Sequence, residues 1–574
     1  MACFPRLVLT CIATSLLTLS HSPATHADTI TVCPTGCDST SIQGGINQAA
    51  PGDEVFLATA VDHIENDIVV FTSITLRGLP GLETNLRATT SSDPTPRILT
   101  VLAGIELTIE DLVIRDGYTF DDGGAINNQG TLNLRGARIS SNRADRGAAV
   151  FNTGTLDCFD SALVNNSAIQ GGAVFNAAGA TFTGDDCYQF NNELLEANVL
   201  LSDASGGHLH NEGHVDLRNS SLLSASSPAH ALTGGLRGGG IYSEVGTLIL
   251  DNCYMGNNHI GSSFQGEGGG ALYLQSGSAV ISHTRIANNS TEGNGGGIYV
   301  GFSAELQAFD VIVRGNRARV GGGILQAGNA LIRGATIEGN EASSGAGIFV
   351  DNNGIDLANA TISGNLATGS GGGIYVSQQR SIQIASTTIV DNEADVDQND
   401  IGNGGGIYLE PLSGCSGICI TTTAYLKNSI LANNVDRSPT TTQAHDCHGD
   451  LRSNGPNLLE QVSTSSFAAC ELVGSSAGVI FGTDPGLGPL ADNGGPSISS
   501  SRPWTHLPGE ASPARNAGDP NGCLDYSGAE LTSDQRMAPR VGTCDLGAVE
   551  GGSSPQPGEI FADGFESGNV LAWQ

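Results

Sequence analysis

Eleven times along this chain a run of small residues, mostly glycine, leads directly into an aliphatic residue. The runs are GGAIN (123–127), GAAVF (147–151), GGAVF (171–175), GGHLH (206–210), GGGIY (238–242), GGALY (269–273), GGGIY (295–299), GGGIL (321–325), GAGIF (345–349), GGGIY (371–375) and GGGIY (404–408). Measured between the aliphatic residues, the spacings are 24, 24, 35, 32, 31, 26, 26, 24, 26 and 33. A single glycine run entering a helix can cradle a phosphate. Eleven runs in phase with no helix pattern behind them read as corners of a repeated coil, where successive backbones approach closely or need positive φ.

A second register runs beside the first: Asn142, Asn166, Asn192, Asn258, Asn289, Asn316, Asn340, Asn365 and Asn392, each after a strand-like stretch. The extra length of the long repeats falls between this asparagine and the next glycine run, so the insertions emerge along one edge. TLNLRGARI (131–139) and TLILDNCYM (247–255) alternate with the two-residue period of a strand. A leucine-rich repeat shares the period but needs a different return segment. The expected fold is therefore all-β, a right-handed parallel β-helix solenoid adding about 4.8 Å per coil, with its asparagines stacked as an amide ladder. Ile42, Ile46 and Ala49/Ala50 fall on one face of a short helix that would cap the first coil, ahead of an irregular β-rich C-terminal region.

The expected divisions are a signal peptide (1–27), the cap and first coils (28–110), the GGGIY-type repeats (111–435), the C-terminal region (436–550) and a tail with a DGFESG motif (551–574). Arg6, the apolar stretch 7–19 and Thr25-His26-Ala27 have the order of an export signal. No later run is apolar and long enough for a transmembrane helix. Acidic side chains outnumber basic ones 58 to 24, and Lys427 is the only lysine. Such a surface excludes nucleic acid and anionic lipid as partners and favours cations. Eleven cysteines follow the signal segment, which suits an oxidising compartment; Cys447 with Cys470 and Cys523 with Cys544 are the preferred pairs, with one cysteine left over.

Three groups of side chains are candidates for binding. The residue after the core aliphatic is usually aromatic: Phe151, Phe175, Tyr242, Tyr273, Tyr299, Phe349, Tyr375 and Tyr408. If the aliphatic points inward these form an outward column, either a stripe for sugar rings or a ladder that steadies the sheet. His208 and His210 share a strand face near His214 and would suit a transition metal, although ordinary surface histidines account for them more simply. In the insertion 393–403, Asp395, Asp397 and Asn399 alternate as oxygen ligands for Ca²⁺ would, or as a solvated acidic loop.

SIQGGINQAAPGDEVFLATAVDHIENDIVVFTSITLRG (41–78) resembles the start of pectin-lyase-like β-helix proteins, and the GGAI-type runs with FNN (190–192) are similar to repeats of polymorphic outer membrane proteins. DPGLGPLADNGGP (484–496), SPARNAG (512–518), SDQRMAPR (533–540) and CDLGAVE (544–550) resemble the choice-of-anchor Q domain. These resemblances imply an exported or surface-associated protein of a Gram-negative bacterium whose partner is an extracellular glycan or surface protein. The membrane barrel that closes polymorphic outer membrane proteins is not matched, since 24 residues follow Glu550. The competing expectation is a polysaccharide lyase or hydrolase acting on acidic glycans, and the third a structural rod. Polygalacturonase-like Asn-Thr-Asp, Gly-His-Gly and Arg-Ile-Lys sets do not occur; SRPW (501–504) resembles a pectin methylesterase fragment without its partners. Binding through the exposed sheet and the loops at 193–205, 220–237, 259–268 and 393–403 is the leading reading.

Overall fold

The computed structural model describes residues 27–89, 96–195, 203–227, 235–261, 268–412, 421–439, 443–462 and 470–555. The expected signal segment, the middle of three of the four expected loops, Cys415, Cys419 and most of the tail lie outside them. The chain winds as a right-handed parallel β-helix, and 42 strands of the described residues join in one network. One coil shows the plan. Ile324–Gln326, Asn329–Arg333, Thr336–Glu338 and Glu341–Ala342 pair in parallel with Ile348–Val350, Ile355–Ala358, Thr361–Ser363 and Leu366–Ala367 of the next coil. Alternation sends Ile324, Ala330, Ile332 and Ile337 into a continuous aliphatic core.

The glycine run acts as the sequence predicts. Gly295 has φ +69, in the left-handed region. A Cβ on Gly296 would sit 2.4 Å from the Gly322 carbonyl, and one on Gly297 would sit 2.6 Å from that of Gly323. The coils stack backbone against backbone at this corner, and a side chain would push them apart.

Packed beside this corner, the recurring asparagines are buried. Asn316 Nδ2 donates to Asn340 Oδ1 at 3.1 Å and to the Ile286 carbonyl at 3.0 Å, while its own Oδ1 accepts from Asn289 Nδ2 and backbone N, both at 3.0 Å. The same pattern links Asn142 to Asn166 and Asn192, and Asn258 through Asn289, Asn316, Asn340, Asn365, Asn392 and Asn434 to Asp446. The preceding residue is left-handed in each coil: Ser141, Asn165, Asn191, Asn257, Asn288, Gly315, Gly339, Gly364, Asp391 and Asn433. That explains the dipeptides NN, GN, SN and DN, because these residue types tolerate positive φ.

One coil lacks the asparagine and has Ala225, and there His208 completes the ladder. Asn192 Nδ2 lies 2.9 Å from His208 Nδ1, and His208 Nε2 lies 3.1 Å from Asn258 Oδ1. An amide nitrogen only donates and an amide oxygen only accepts, so the ring is neutral with its proton on Nε2. Burial holds the imidazole pKa down at about 3. The expectation of a surface histidine is corrected: His208 is 0% exposed.

The ends differ in part from expectation. The cap helix Ile42–Ile46 is one turn long, with the Ser41 hydroxyl accepting from Gly44 N and the Glu65 carboxylate accepting from Ile42 N and Gln43 N. Ile42 and Ile46 are buried on the first coil, but Ala50 is exposed because the helix stops before it. The coils continue beyond residue 435. Cys447–Ser453, Asn457–Leu459, Cys470–Leu472 and Val479–Phe481 keep the parallel pairing without a glycine run to mark it.

Beyond Phe481 the chain turns back along the rod as a strap. Asn252 accepts from Ser499 N, Arg285 donates to Ser501, and Arg314 lies 3.8 Å over the Trp504 ring. Gln535 bridges Ala335 O and the hydroxyls of Thr336 and Thr361, Arg540 donates to Asn359, and Thr388 accepts from Ala548 N. Ala514 and Leu546 close an apolar cluster with Val390, Ile430, Ala432 and Leu458. SRPW and SDQRMAPR thus supply docking groups for the strap. Disulfides join Cys33–Cys37, Cys158–Cys187, Cys447–Cys470 and Cys523–Cys544, leaving Cys253 as a buried thiol without a disulfide among the described residues.

Two outcomes test the ladder. Asn316→Ala strands the amide donors of Asn289 and the carbonyl of Ile286, and is expected to lower unfolding free energy by about 2–3 kcal/mol in urea titrations. His208 has a folded pKa below its unfolded value, so its contribution is full above the unfolded pKa of about 6.5 and declines by about 1.4 kcal/mol per unit as pH falls toward 3. His208→Leu is expected to melt lower at neutral pH and to lack that part of the acid slope.

Candidate functional site

The aromatic residues do form a column. Ring centroids are separated by 5.3 Å from Phe151 to Phe175, 4.5 Å to His210, 5.0 Å to Tyr242, 5.6 Å to Tyr273 and 4.3 Å to Tyr299. Leu325 interrupts the stack, which resumes from Phe349 to Tyr375 at 4.6 Å, Tyr408 at 4.9 Å and His448 at 4.9 Å. Phe151, Phe175, Tyr242 and Tyr273 are buried, whereas Tyr299, Phe349, Tyr375 and Tyr408 are half-buried. The rings lie one above another along the coil axis; Tyr273–Tyr299 and Phe349–Tyr375 are stacked, His210–Tyr242, Tyr242–Tyr273 and Tyr375–Tyr408 are tilted, and Leu325 stands between Tyr299 and Phe349, so most ring faces meet a neighbour along the column. A sugar ring stacks on an aromatic face, and in this column the faces are engaged. The Arg146 guanidinium further covers Phe151 and Phe175 at 4.8 and 5.0 Å.

The three histidines separate. His208 lies in the amide ladder, His210 takes an aromatic position in the column, and His214 hydrogen-bonds Thr247 Oγ1. The three rings do not converge among the described residues, because side chains of this strand serve different ladders.

In the 393–403 insertion, both oxygens of the buried Asp395 carboxylate accept backbone N–H groups, from Asn399 and Asp400, each at 3.0 Å. Asp397 accepts from Asn399 Nδ2, and Asn399 Oδ1 accepts from Ile401 N. Each of these three side chains thus accepts a hydrogen bond from within the turn. Asp395, Asp397 and Asn399 are therefore explained by loop geometry.

The structure adds two groups that sequence reading passed over. A groove of about 320 Å³ crosses four neighbouring coils, lined by Glu305, Gln307, Asn329, Asp356, Ser381 and Gln383, with Gly354 leaving space in its floor. Gln307, Leu331, Asp356 and Gln383 form one row in strict register. The nearby cations are already engaged. Arg333 pairs with Asp525 of the strap, and Lys427 donates to the Asp525 carbonyl while lying 4.4 Å over the Tyr526 ring. Burial lowers the lysine pKa.

The second group stands at the corner three residues past Gln307. His283 Nδ1 lies 2.9 Å from Asp251 Oδ1, and its Nε2 lies 4.0 Å from Asp310 Oδ2. Burial raises Asp310 to about 6. Burial also pushes Asp251 upward, but hydrogen bonds from His283 and Ser282 outweigh it and leave that carboxyl below its ordinary range. Two carboxyls with pKa values driven apart are the general requirement of acid–base work. No repeated motif marks them, since Asp251, His283 and Asp310 come from three different coils.

Comparison with known proteins agrees with the coil geometry. Residues 205–393, about a third of the chain, match the family described as right handed beta helix region. No curated protein matches the chain. Among solved structures, the crystal structure of pectate lyase Pel9A is similar over 91% of this chain and 96% of that one, with 13% identity and a TM-score of 0.26. A likeness at that level carries no argument about activity, and the right-handed β-helix rests on the strand register and the family match.

Proposed function

We propose that this chain is an exported, surface-associated β-helix that binds an extended, uncharged polysaccharide without transforming it. The observation that carries this reading is the groove across four coils. Each of its four coils contributes at least one amide or carboxylate, in two rows interrupted by Leu331 and Gly354; successive coils stand about 4.8 Å apart, close to the repeat of an extended sugar chain, and hydroxyl groups can both donate to and accept from these groups. The acidic balance of 58 to 24 disfavours a polyanionic ligand. The base that lyase chemistry needs is also poorly served, because Lys427 and Arg333 hold the strap. The strap covers one side of the rod and leaves the groove side accessible, as display at a surface requires, in keeping with the resemblance to choice-of-anchor proteins.

A second reading follows from Asp251, His283 and Asp310: hydrolysis of a bound chain, with Asp310 as acid and Asp251 as base.

The tests are separate. In affinity electrophoresis and calorimetry against neutral and uronate-rich polysaccharides, the wild type is expected to prefer a neutral one. Asn329→Ala with Gln383→Ala is expected to weaken binding by about 10–30-fold, the loss of two hydrogen bonds of about 1 kcal/mol each; Tyr375→Ala, whose ring face is engaged in the column, leaves binding within twofold. Unchanged affinity in the groove variant removes the binding reading. Reducing sugar released by wild type but not by Asp310→Asn would establish hydrolysis, and none released by wild type removes it.

A further inference from the structure

Two consecutive coils place a glutamate three residues after the core aliphatic, in His-Leu-His-Asn-Glu (208–212) and Ile-Tyr-Ser-Glu (241–244). The register pairs His210 with Tyr242 and Asn211 with Ser243, so Glu212 and Glu244 follow at equivalent places on neighbouring coils. Two carboxylates one coil apart repel each other, and the position costs free energy unless positive charge lies between them.

The Nε2 atom of His210 points at that position. It lies 3.6 Å from Glu212 Oε1 and 3.5 Å from Glu244 Oε2, and it has no hydrogen-bond partner among the described residues. The side chain is 1% exposed and held on every side. Its face stacks on Phe175 at 4.5 Å, its other side meets Tyr242 at 5.0 Å, and Nδ1 bonds Ser205 Oγ at 2.8 Å. A proton on Nδ1 directed at the serine leaves the Nε2 lone pair aimed between the carboxylates. The three ligand atoms lie within 4.8 Å of one another, and no other group of three His, Cys, Asp or Glu converges this way among the described residues.

The separations of 3.5 and 3.6 Å exceed a hydrogen bond. They are close to the ~3.3 Å edge of a tetrahedron whose ligands stand about 2.0–2.1 Å from a metal. We propose that His210, Glu212 and Glu244 bind a divalent transition-metal ion of the Zn²⁺ class, with water completing its shell. An imidazole with two carboxylates suits such an ion better than Ca²⁺, which takes six to eight oxygens. Ser205 is the orienting partner that metal-bound imidazoles usually have. The carboxylates are 30% and 48% exposed, so the ion has an entry path and a solvent-facing side.

The test uses the full chain without a histidine tag, stripped with chelator and titrated with Zn²⁺ by calorimetry, and with Co²⁺ by visible absorption. Wild type is expected to bind one equivalent, to melt higher with Zn²⁺, and to give the intense Co²⁺ bands of a low-coordinate site. Glu244→Gln, on a partly exposed side chain, is expected to weaken Zn²⁺ at least tenfold. His210→Phe keeps a ring in the column and is expected to abolish the Co²⁺ bands. Absence of saturable Zn²⁺ binding by wild type overturns the proposal; unchanged binding by Glu244→Gln or by a folded His210→Phe also overturns it.

Discussion

A parallel coil has to turn sharply several times, and each turn takes backbone N–H and C=O groups away from the strands that would satisfy them. In this protein the buried asparagine ladder answers that problem. Each side-chain amide takes two acceptors and each amide oxygen takes two donors, so a rung satisfies its own corner and locks the coil on either side. A buried amide left without partners costs about 1–3 kcal/mol, so each rung depends on its neighbours. The Ala225 coil shows the strength of the demand, since a histidine from the preceding glycine corner occupies the missing rung and stays neutral to do so.

Once the coils are stacked in fixed register, every outward residue becomes part of a row, and the chemistry of a row differs from that of its members. Aromatic rings in a row stack on each other and turn their faces away from solvent. Amides and carboxylates on successive coils leave hydrogen-bonding capacity along the rod, as in the groove from Glu305 to Gln383. Carboxylates in a row repel and call for a cation. The three kinds of row lie on one scaffold, and the strap with its buried pair Arg536–Asp534 covers another side.

Much of the architecture is legible because the repeat is written into residue types that backbone geometry demands. Gly295 needs positive φ, Gly296 and Gly297 need to lack a Cβ, and Asn288 or Gly315 need a left-handed φ before the rung. A second ladder, Asn128 to Asn152, Asn176 and Asn211, stands two residues past each core aliphatic and went unread. It ends at Ser243, so its period covers too few coils to be conspicuous. The binding groups were less legible. The His208-x-His210 pattern gathered two residues that belong to different ladders, while Glu212 and Glu244 share a place that only the coil register reveals. The spacing of Asp395, Asp397 and Asn399 is the same for a cation loop as for a self-bonded turn, because both need oxygens on alternate residues.

By itself the sequence determined the coil: its period, its corners, its inward aliphatics and its cap are each imposed by local sterics and by the cost of burying an unsatisfied amide. Tertiary structure alone decided which residues of different coils stand together. Asp251 with Asp310, Glu212 with Glu244, and the strap against Thr336, Thr361 and Thr388 are separated by tens to hundreds of residues along the chain. Their distances follow from the shape of each corner and from the path of the strap, which the repeat period does not fix.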